Sequence, residues 1–365
     1  MYIWQHKKWP SFNWDNTRVI EALAEARSLQ GRILGRMEGL GFSVREESVL
    51  ENLTNDVIKT SKIEGESLNM DEVRSSIAKR LGMNVAGMVN PGRNVEGIVE
   101  LMLDATQNYK EPLSAKRLFG WHAALFPTGY SGMFPITVGK WRNNEKNDPM
   151  QVVSGAWGKQ RVHFEAPASE DLKQEMKTFI QWFNSAGMEP VLKSALAHLW
   201  FVTLHPFDDG NGRIARAIAD MQLARADRTP QRFYSMSAQI EKNKKQYYTI
   251  LEKTQKGNLT ITEWLLWYID IFTKALQFTE ANVGKALSKA GFWEKYKKVE
   301  FNSRQIKMLN KLMSGFDGNL TTAKWAKINK SSQDTALRDI NELVSKKVLR
   351  KESAGSRSTH YTLVL

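Results

Sequence analysis

The sequence predicts a mainly α protein with a β-hairpin set into its helical middle and a winged helix-turn-helix near its end. Three observations carry that prediction. Apolar residues recur at helical spacing over most of the 365 residues. The stretch "QVVSGAWGKQRVHFEAP" instead alternates short β-prone runs, Val152-Val153 and Arg161 to Phe164, around a Gly-rich turn. After "FNSRQIKMLNKLM" the pattern becomes helix, helix, strand, turn, strand, the order of a winged helix-turn-helix.

Taken in order, "WDNTRVIEALAEARSLQGRILGRMEGL" opens the first helix at a cap-like Asp15 or Asn16. "SVLENLTNDVIKTSKIEG" is the second, with Gly65 as its stop. "NMDEVRSSIAKRLG" follows, and the polar, Gly-containing "MNVAGMVNPGRN" places a boundary near residue 83. Further helices are expected at about 94–108, 114–125, 169–185, 189–204, 213–226, 243–255 and 260–290. The hairpin at 151–165 interrupts them. In the tail, "SSQDTALRDINELVSKK" sets Ala336, Leu337, Ile340, Leu343 and Val344 on one face, capped by Ser331 or Ser332. The length allows two or three domains, read as 1–83, 84–283 and 284–365.

Composition narrows the chemistry. With 42% hydrophobic residues the chain can build real cores, and with no cysteine it has no disulfide, Cys zinc site or thiol nucleophile. "MYIWQHKKWPSFNWD" lacks the charged-then-apolar profile of a signal peptide, and no apolar run is long enough to span a bilayer. A cytoplasmic protein without a membrane partner is expected. Residues 284–365 hold 17 Lys and Arg against 7 Asp and Glu, a surplus of 10 out of the chain's net +13. Such a module meets nucleic acid or another acidic surface, or is simply a solvated Lys-rich face.

The densest chemistry is "LHPFDDGNGRIAR", residues 204–216. A helix runs up to His205 and Pro206 helps to close it; a new one begins near Arg213 with Ile214, Ile218 and Met221 inward. Between them Gly210, Asn211 and Gly212 let successive backbone N–H groups face one concavity at a helix N-terminus. An anion, phosphate above all, fits there. Arg213 and Arg216, three apart, share a helix face and can grip further phosphate oxygens. Asp209 beside a polyphosphate is a candidate Mg²⁺ ligand, and His205 a candidate proton acceptor. Each part alone has a bland reading as a structural His, a solvated Arg pair or a plain turn. The joint spacing describes base, metal, cradle and clamp for attack of a hydroxyl on a nucleotide phosphate.

This stretch resembles the signature of the Fic family, H-x-F-x-(D/E)-G-N-G-R-x-x-R, with His205, Phe207, Asp209, Gly210, Asn211, Gly212, Arg213 and Arg216 filling every constrained position. The resemblance implies a Fic-type helical core at 84–283 with a β-hairpin flap, an N-terminal helical domain and a C-terminal winged helix-turn-helix. It implies transfer of AMP from ATP, as co-substrate, to a hydroxyl of a target protein. His205 would take the Ser, Thr or Tyr proton and Asp209 would hold Mg²⁺ between the α and β phosphates. Gly210, Asn211, Gly212 and Arg213 would cradle phosphates, and Arg216 would bind the γ-phosphate. The hairpin at 151–165 resembles the flap on which a target segment docks as an added strand. "KNKKQYYTILEKTQKGN" resembles the nucleoside side of the family's pocket, with Tyr247, Tyr248 and Gln255 as candidates; core packing is the alternative for the tyrosines.

Glu64 raises a separate question. Leu50, Leu53 and Val57 form an apolar stripe that continues through Thr60 or Ser61 to Glu64. A carboxylate is thus aimed inward at a helix C-terminus, where the dipole disfavours it. It needs a cationic partner, unless the helix end frays and leaves it in water. "TSKIEG" resembles the family's inhibitory motif, (S/T)-x-x-x-E-(G/N), filled by Thr60, Glu64 and Gly65. By that resemblance Glu64 pairs with Arg216, keeps it from the γ-phosphate and autoinhibits the chain. In some relatives the same Glu also supports removal of AMP from the target.

The tail gives a second reading, a nucleotide-sensing regulator that binds DNA through 301–365. The helix at 331–347 offers Gln333, Thr335 and Arg338 outward, but also Asp334, Asp339 and Glu342; the wing offers Arg350, Lys351 and Arg357. Self-association or target docking is the alternative use.

Overall fold

A computed structural model describes residues 1–39, 42–83, 87–145, 148–155, 158–313, 316, 318–352 and 359–364. The fold is mainly α, as predicted, and divides into two units, Met1–Thr279 and Glu280–Leu365. The helices before residue 83 fall in the same unit as those that follow.

In the first unit, α1 (Asn16–Glu38) starts where Asp15 accepts hydrogen bonds from the N–H groups of Thr17 and Arg18. Next come α2 (Phe42–Ile63), α3 (Met70–Arg80, capped by Asn69), α4 (Arg93–Gln107) and α5 (Ala115–Leu125, capped by Ser114). Two short strands, β1 (Tyr130–Ser131) and β2 (Phe134–Pro135), pair antiparallel and were not expected from the sequence. The predicted hairpin is present as β3 (Gln151–Ser154) and β4 (Arg161–Glu165), with a register shift between Val152 and Val153. Its underside is held by the N-terminal segment. Trp4 Nε1 donates to the Glu165 carbonyl at 2.8 Å, and Tyr2 meets buried Phe164 edge-on.

The helices α6 (Leu172–Asn184), α7 (Pro190–Leu204), α8 (Asn211–Asp227), α9 (Met236–Lys242) and α10 (Lys244–Gln255) follow, and α11 (Thr262–Lys295) runs past the division between units. The α7–α8 pair is the centre of the first unit. Every residue of α7 after Pro190 is buried, and Ile214, Ile218 and Met221 of α8 are fully inaccessible. A mostly apolar helix that is buried on every side belongs to a core, and α7 is one.

Polar groups are buried beside this core as a network. Arg232 donates to Asp220 at 2.8 Å and to Asp227 at 3.0 Å, and its guanidinium lies 4.4 Å from the Tyr234 ring centroid. Asp227 also accepts from Tyr234 and from Gln30 of α1. Asp56 of α2 accepts from Ser235 Oγ, and burial, with Asp220 adding repulsion, pushes its carboxyl up to about 8. The network therefore ties α1 to α8 and α2 to the start of α9.

The second unit holds α12 (Ser303–Met313), α13 (Thr322–Asn329), α14 (Gln333–Ser345), β5 (Leu349–Glu352) and β6 (His360–Leu363). Its core gathers Met308, Leu309, Trp325, Ala336, Ile340, Leu343, Val348 and Tyr361. Ser332 caps α14. Two positions on that helix differ from the sequence reading. Leu337 is 42% exposed, whereas Asp339 is buried and faces Arg304, which donates to it at 2.7 and 2.9 Å. A partner on α12 reverses what spacing alone suggests. Arg357 of the expected wing lies outside the described residues. Among the described residues no helix is long and apolar enough to cross a membrane.

Candidate active site

The site is built where α7 hands over to α8. His205 sits just past α7 in a left-handed conformation, φ 48° and ψ 57°, which few non-Gly residues adopt. Its Nδ1 lies 3.2 Å from the Val202 carbonyl. A carbonyl only accepts, so Nδ1 carries the proton and Nε2 is left as an acceptor. Burial is the main reason its pKa falls to about 4; Arg142 lowers it further, while the Val202 bond, Glu64 and Asp209 oppose the fall. His205 is therefore neutral at pH 7.

The turn is locked by one of its own side chains and by two from outside the stretch. Asn211 folds back, donating to the Phe207 carbonyl at 2.7 Å and accepting from the Phe207 N–H at 3.0 Å. Its side chain thus braces the turn; only its backbone is left for a ligand. Phe207 is fully buried and stacks on His122 at 4.2 Å between centroids. His122 Nδ1 accepts from Gly139, so its Nε2 donates to the Asp209 carbonyl. Arg142 donates to the His205 carbonyl at 2.8 Å, and the Arg142 N–H to the Pro206 carbonyl at 2.9 Å.

Gly210 caps α8 at φ 79°, and a Cβ there would lie 2.9 Å from the Phe126 ring. Gly212, in the first turn of α8, matters more. A Cβ there would come within 2.1 Å of Glu64 Oε1, so the Glu64 carboxylate rests directly on that turn. Glu64 Oε1 accepts from Arg216 Nη2 at 2.7 Å. Thr60 completes the grip, its Oγ1 accepting from Arg216 Nε at 2.6 Å and its carbonyl from Nη2 at 3.0 Å. Burial works against the Arg216 charge, yet Glu64, with Tyr247 and Tyr248, moves the pKa up. Glu64 differs from expectation in one respect. Helix α2 ends at Ile63, and Glu64 lies in the closing turn, its side chain 30% accessible, because Gly65 reverses the chain at φ 89°.

Asp209 accepts from Ser131 Oγ and from the Gly210 N–H. Among the described residues no three His, Cys, Asp or Glu side chains gather into a metal site. A single carboxylate fits Mg²⁺ that arrives with a nucleotide and takes most of its ligands from phosphate and water.

A Fic/DOC family profile matches residues 112–223, the stretch that holds His205, Asp209, Arg213 and Arg216. The chain contains a Fic/DOC-type domain over that stretch. A second profile, a domain of unknown function (DUF4172), matches residues 2–83. The chain is 26% identical over 214 residues to the protein adenylyltransferase Fic of Drosophila ananassae, covering 56% of this chain and 37% of that protein. It is 24% identical over 216 residues to the protein adenylyltransferase fic-1 of Caenorhabditis elegans, with 56% and 37% covered. The match thus spans little more than a third of the curated relatives' own length. A Fic family protein from Desulfovibrio desulfuricans G20 shares the fold at a TM-score of 0.54 and 18% identity, covering 96% of this chain and 97% of that one. The C. elegans Fic-1 structure (residues 134–508 of that protein) gives 0.51 at 19% identity, with 74% of each covered.

The structure brings His205, Asp209, Gly210, Gly212, Arg213, Arg216, Thr60 and Glu64 into one neighbourhood. The nucleoside-side candidates are more dispersed in character. Tyr247 is buried and bonds His198 at 2.9 Å. Tyr248 is 40% exposed and donates to the Ile63 carbonyl at the end of α2. Gln255 is buried, its amide 3.4 Å from the Val202 carbonyl and 3.3 Å from Thr203 Oγ1, so it braces the last turn of α7. Sequence reasoning missed Arg142, Ser131 and Glu66. None belongs to a periodic pattern, and each acts on a partner more than 60 residues away.

Proposed function

We propose that the chain is a protein adenylyltransferase, moving AMP from ATP to a Ser, Thr or Tyr hydroxyl of a target protein and restrained by Glu64 on Arg216. One observation carries the reading. A neutral imidazole with Nε2 as acceptor stands at the head of a helix whose two inward arginines, Arg213 and Arg216, are both buried. The relatives named protein adenylyltransferase support the same chemistry. The target hydroxyl gives its proton to His205 Nε2 as its oxygen bonds to the α-phosphorus, and the bond to the β-phosphate oxygen breaks to release pyrophosphate. Gly210 and Gly212, lacking side chains, admit the phosphates to the N-terminus of α8, and Arg213 and Arg216 take up charge on the leaving group. Asp209 would hold Mg²⁺, which would supply charge neutralisation to the phosphates. Tyr248 and Tyr247 border the nucleoside side, and a target segment adds to the open edge of the 151–165 hairpin.

The test is to supply Glu64→Gly protein with ATP labelled at the α- or at the γ-phosphate, plus cell lysate. Protein-bound label is expected from the α position alone and is lost on adding His205→Ala. Label from the γ position, or equal labelling with His205→Ala, removes the proposal.

The low pKa of His205 sets a pH dependence. Protonation removes the base, so the rate falls as pH drops through the folded pKa, about 4. Losing Glu64 moves that pKa further down, since its charge favours the imidazolium. Initial rates of Glu64→Gly are therefore expected to be flat from about pH 6 to 8. A limb with its midpoint near the ordinary 6.5 would contradict the assignment.

A second reading, DNA binding through the second unit, gains from one observation. Asp339 is turned inward onto Arg304, which removes one acid from the outer face of α14, and the exposed Glu342 is paired with Lys346. Replacing Arg338, Arg350 and Lys351 with Ala is expected to weaken duplex binding and flatten its salt slope by about two to three charges. Unchanged binding would discard this reading.

A further inference from the structure

The turn that closes α2 supplies two carboxylates. Glu64 meets Arg216, and Glu66 meets Arg213, whose Nη1 donates to both Glu66 oxygens at 3.0 and 2.9 Å. Arg213 is 5% accessible at its side chain, while Glu66 is 48% accessible. The guanidinium lies over the Phe126 ring at 5.1 Å, and its Nε is buried with no hydrogen-bond partner. Among the described residues the ion pair of Arg213 is with Glu66, and about half of that carboxylate's side chain is in water, open to exchange for another anion. A buried guanidinium that loses its anion recruits another.

Gly65 makes the arrangement possible. At φ 89° it turns the chain so that residues on either side of it point to the same helix, and the N–H groups of Glu64 and Glu66 both bond to the Ser61 carbonyl at 3.0 Å. The two side chains reach arginines one turn apart on α8. Two anions, each on one arginine at a helix N-terminus, reproduce the charge pattern of a chain of phosphates.

We infer that Glu66 is a second inhibitory carboxylate: with Glu64 it occupies the phosphate seat as an internal polyanion mimic, and a nucleotide must displace both to use Arg213 and Arg216. The inference rests on the proposed reading that this seat takes the phosphates of ATP. It also predicts that relief at Glu64 alone is incomplete.

The test is calorimetric titration of the full chain with inorganic triphosphate, with ATP and with adenosine, Mg²⁺ present throughout. Glu66→Ala is compared with its parent in the wild-type and Glu64→Gly backgrounds, with Glu66→Gln as the conservative second variant. Triphosphate and ATP are expected to bind about tenfold more tightly on loss of the Glu66 charge in both backgrounds, with adenosine unchanged. Tightening of less than threefold for triphosphate in the Glu64→Gly background, or equal tightening for adenosine, overturns the inference. Failure of the function reading looks different: the doubly substituted protein would bind ATP tightly and transfer no AMP.

Discussion

Glu64→Gly is expected to raise adenylyl transfer by roughly 10- to 100-fold, the range that a charge-assisted hydrogen bond of about 1.5–3 kcal/mol represents. The carboxylate does two things at once. It holds Arg216 Nη2 at 2.7 Å, and it covers the first turn of α8 so closely that not even a methyl group fits over Gly212. Removing it frees a cation and opens the backbone beneath. Arg216 keeps both bonds to Thr60, so its side chain stays in place to receive a phosphate. Rate measurement at fixed ATP checks this; a change of less than threefold would mean that Glu64 is structural.

Arg232→Ala is the change expected to damage the fold most. Arg232 is fully buried and lies between Asp220 and Asp227. Without it two buried carboxylates lose the guanidinium that pairs with both, beside Asp56, which is already pushed up to about 8. Breaking a buried pair on one side costs about 3–5 kcal/mol, a large part of a typical domain's stability. For a unit of this size that corresponds to a fall in Tm of about 10 °C. Adding Asp220→Asn and Asp227→Asn is expected to restore part of the loss, because the three groups act together. Thermal melts of the three proteins decide it; a fall of less than about 3 °C for Arg232→Ala would show that the network is not stabilising in this way.

How far the sequence was legible follows from what each feature depends on. Helices with a local cap and a local apolar stripe could be read, as with Asp15 before α1, Ser114 before α5 and Ser332 before α14. The signature turn could be read because its residues are contiguous. Helix α9, seven residues of "MSAQIEK", carries too little periodicity to announce itself, and β1 and β2 have two residues each. Where a distant partner decides, local pattern misleads. Asp339 looks solvent-facing until Arg304 of α12 draws it in, and Glu66 looks like an ordinary surface acid until Arg213, 147 residues on, is seen beside it. The end of α2 shows the usual one-residue uncertainty, since spacing cannot tell at which residue Gly65 takes over.

The central claim is that Glu64 acts through Arg216 by competing with phosphate. A double-mutant cycle in ATP affinity tests it most directly, using the wild type, Glu64→Gly, Arg216→Ala and the pair, each titrated calorimetrically with Mg²⁺. The account predicts that Glu64→Gly tightens ATP by about tenfold or more when Arg216 is present and by less than twofold when it is Ala. Equal tightening in both backgrounds would contradict it, because the carboxylate would then be acting on something other than that guanidinium.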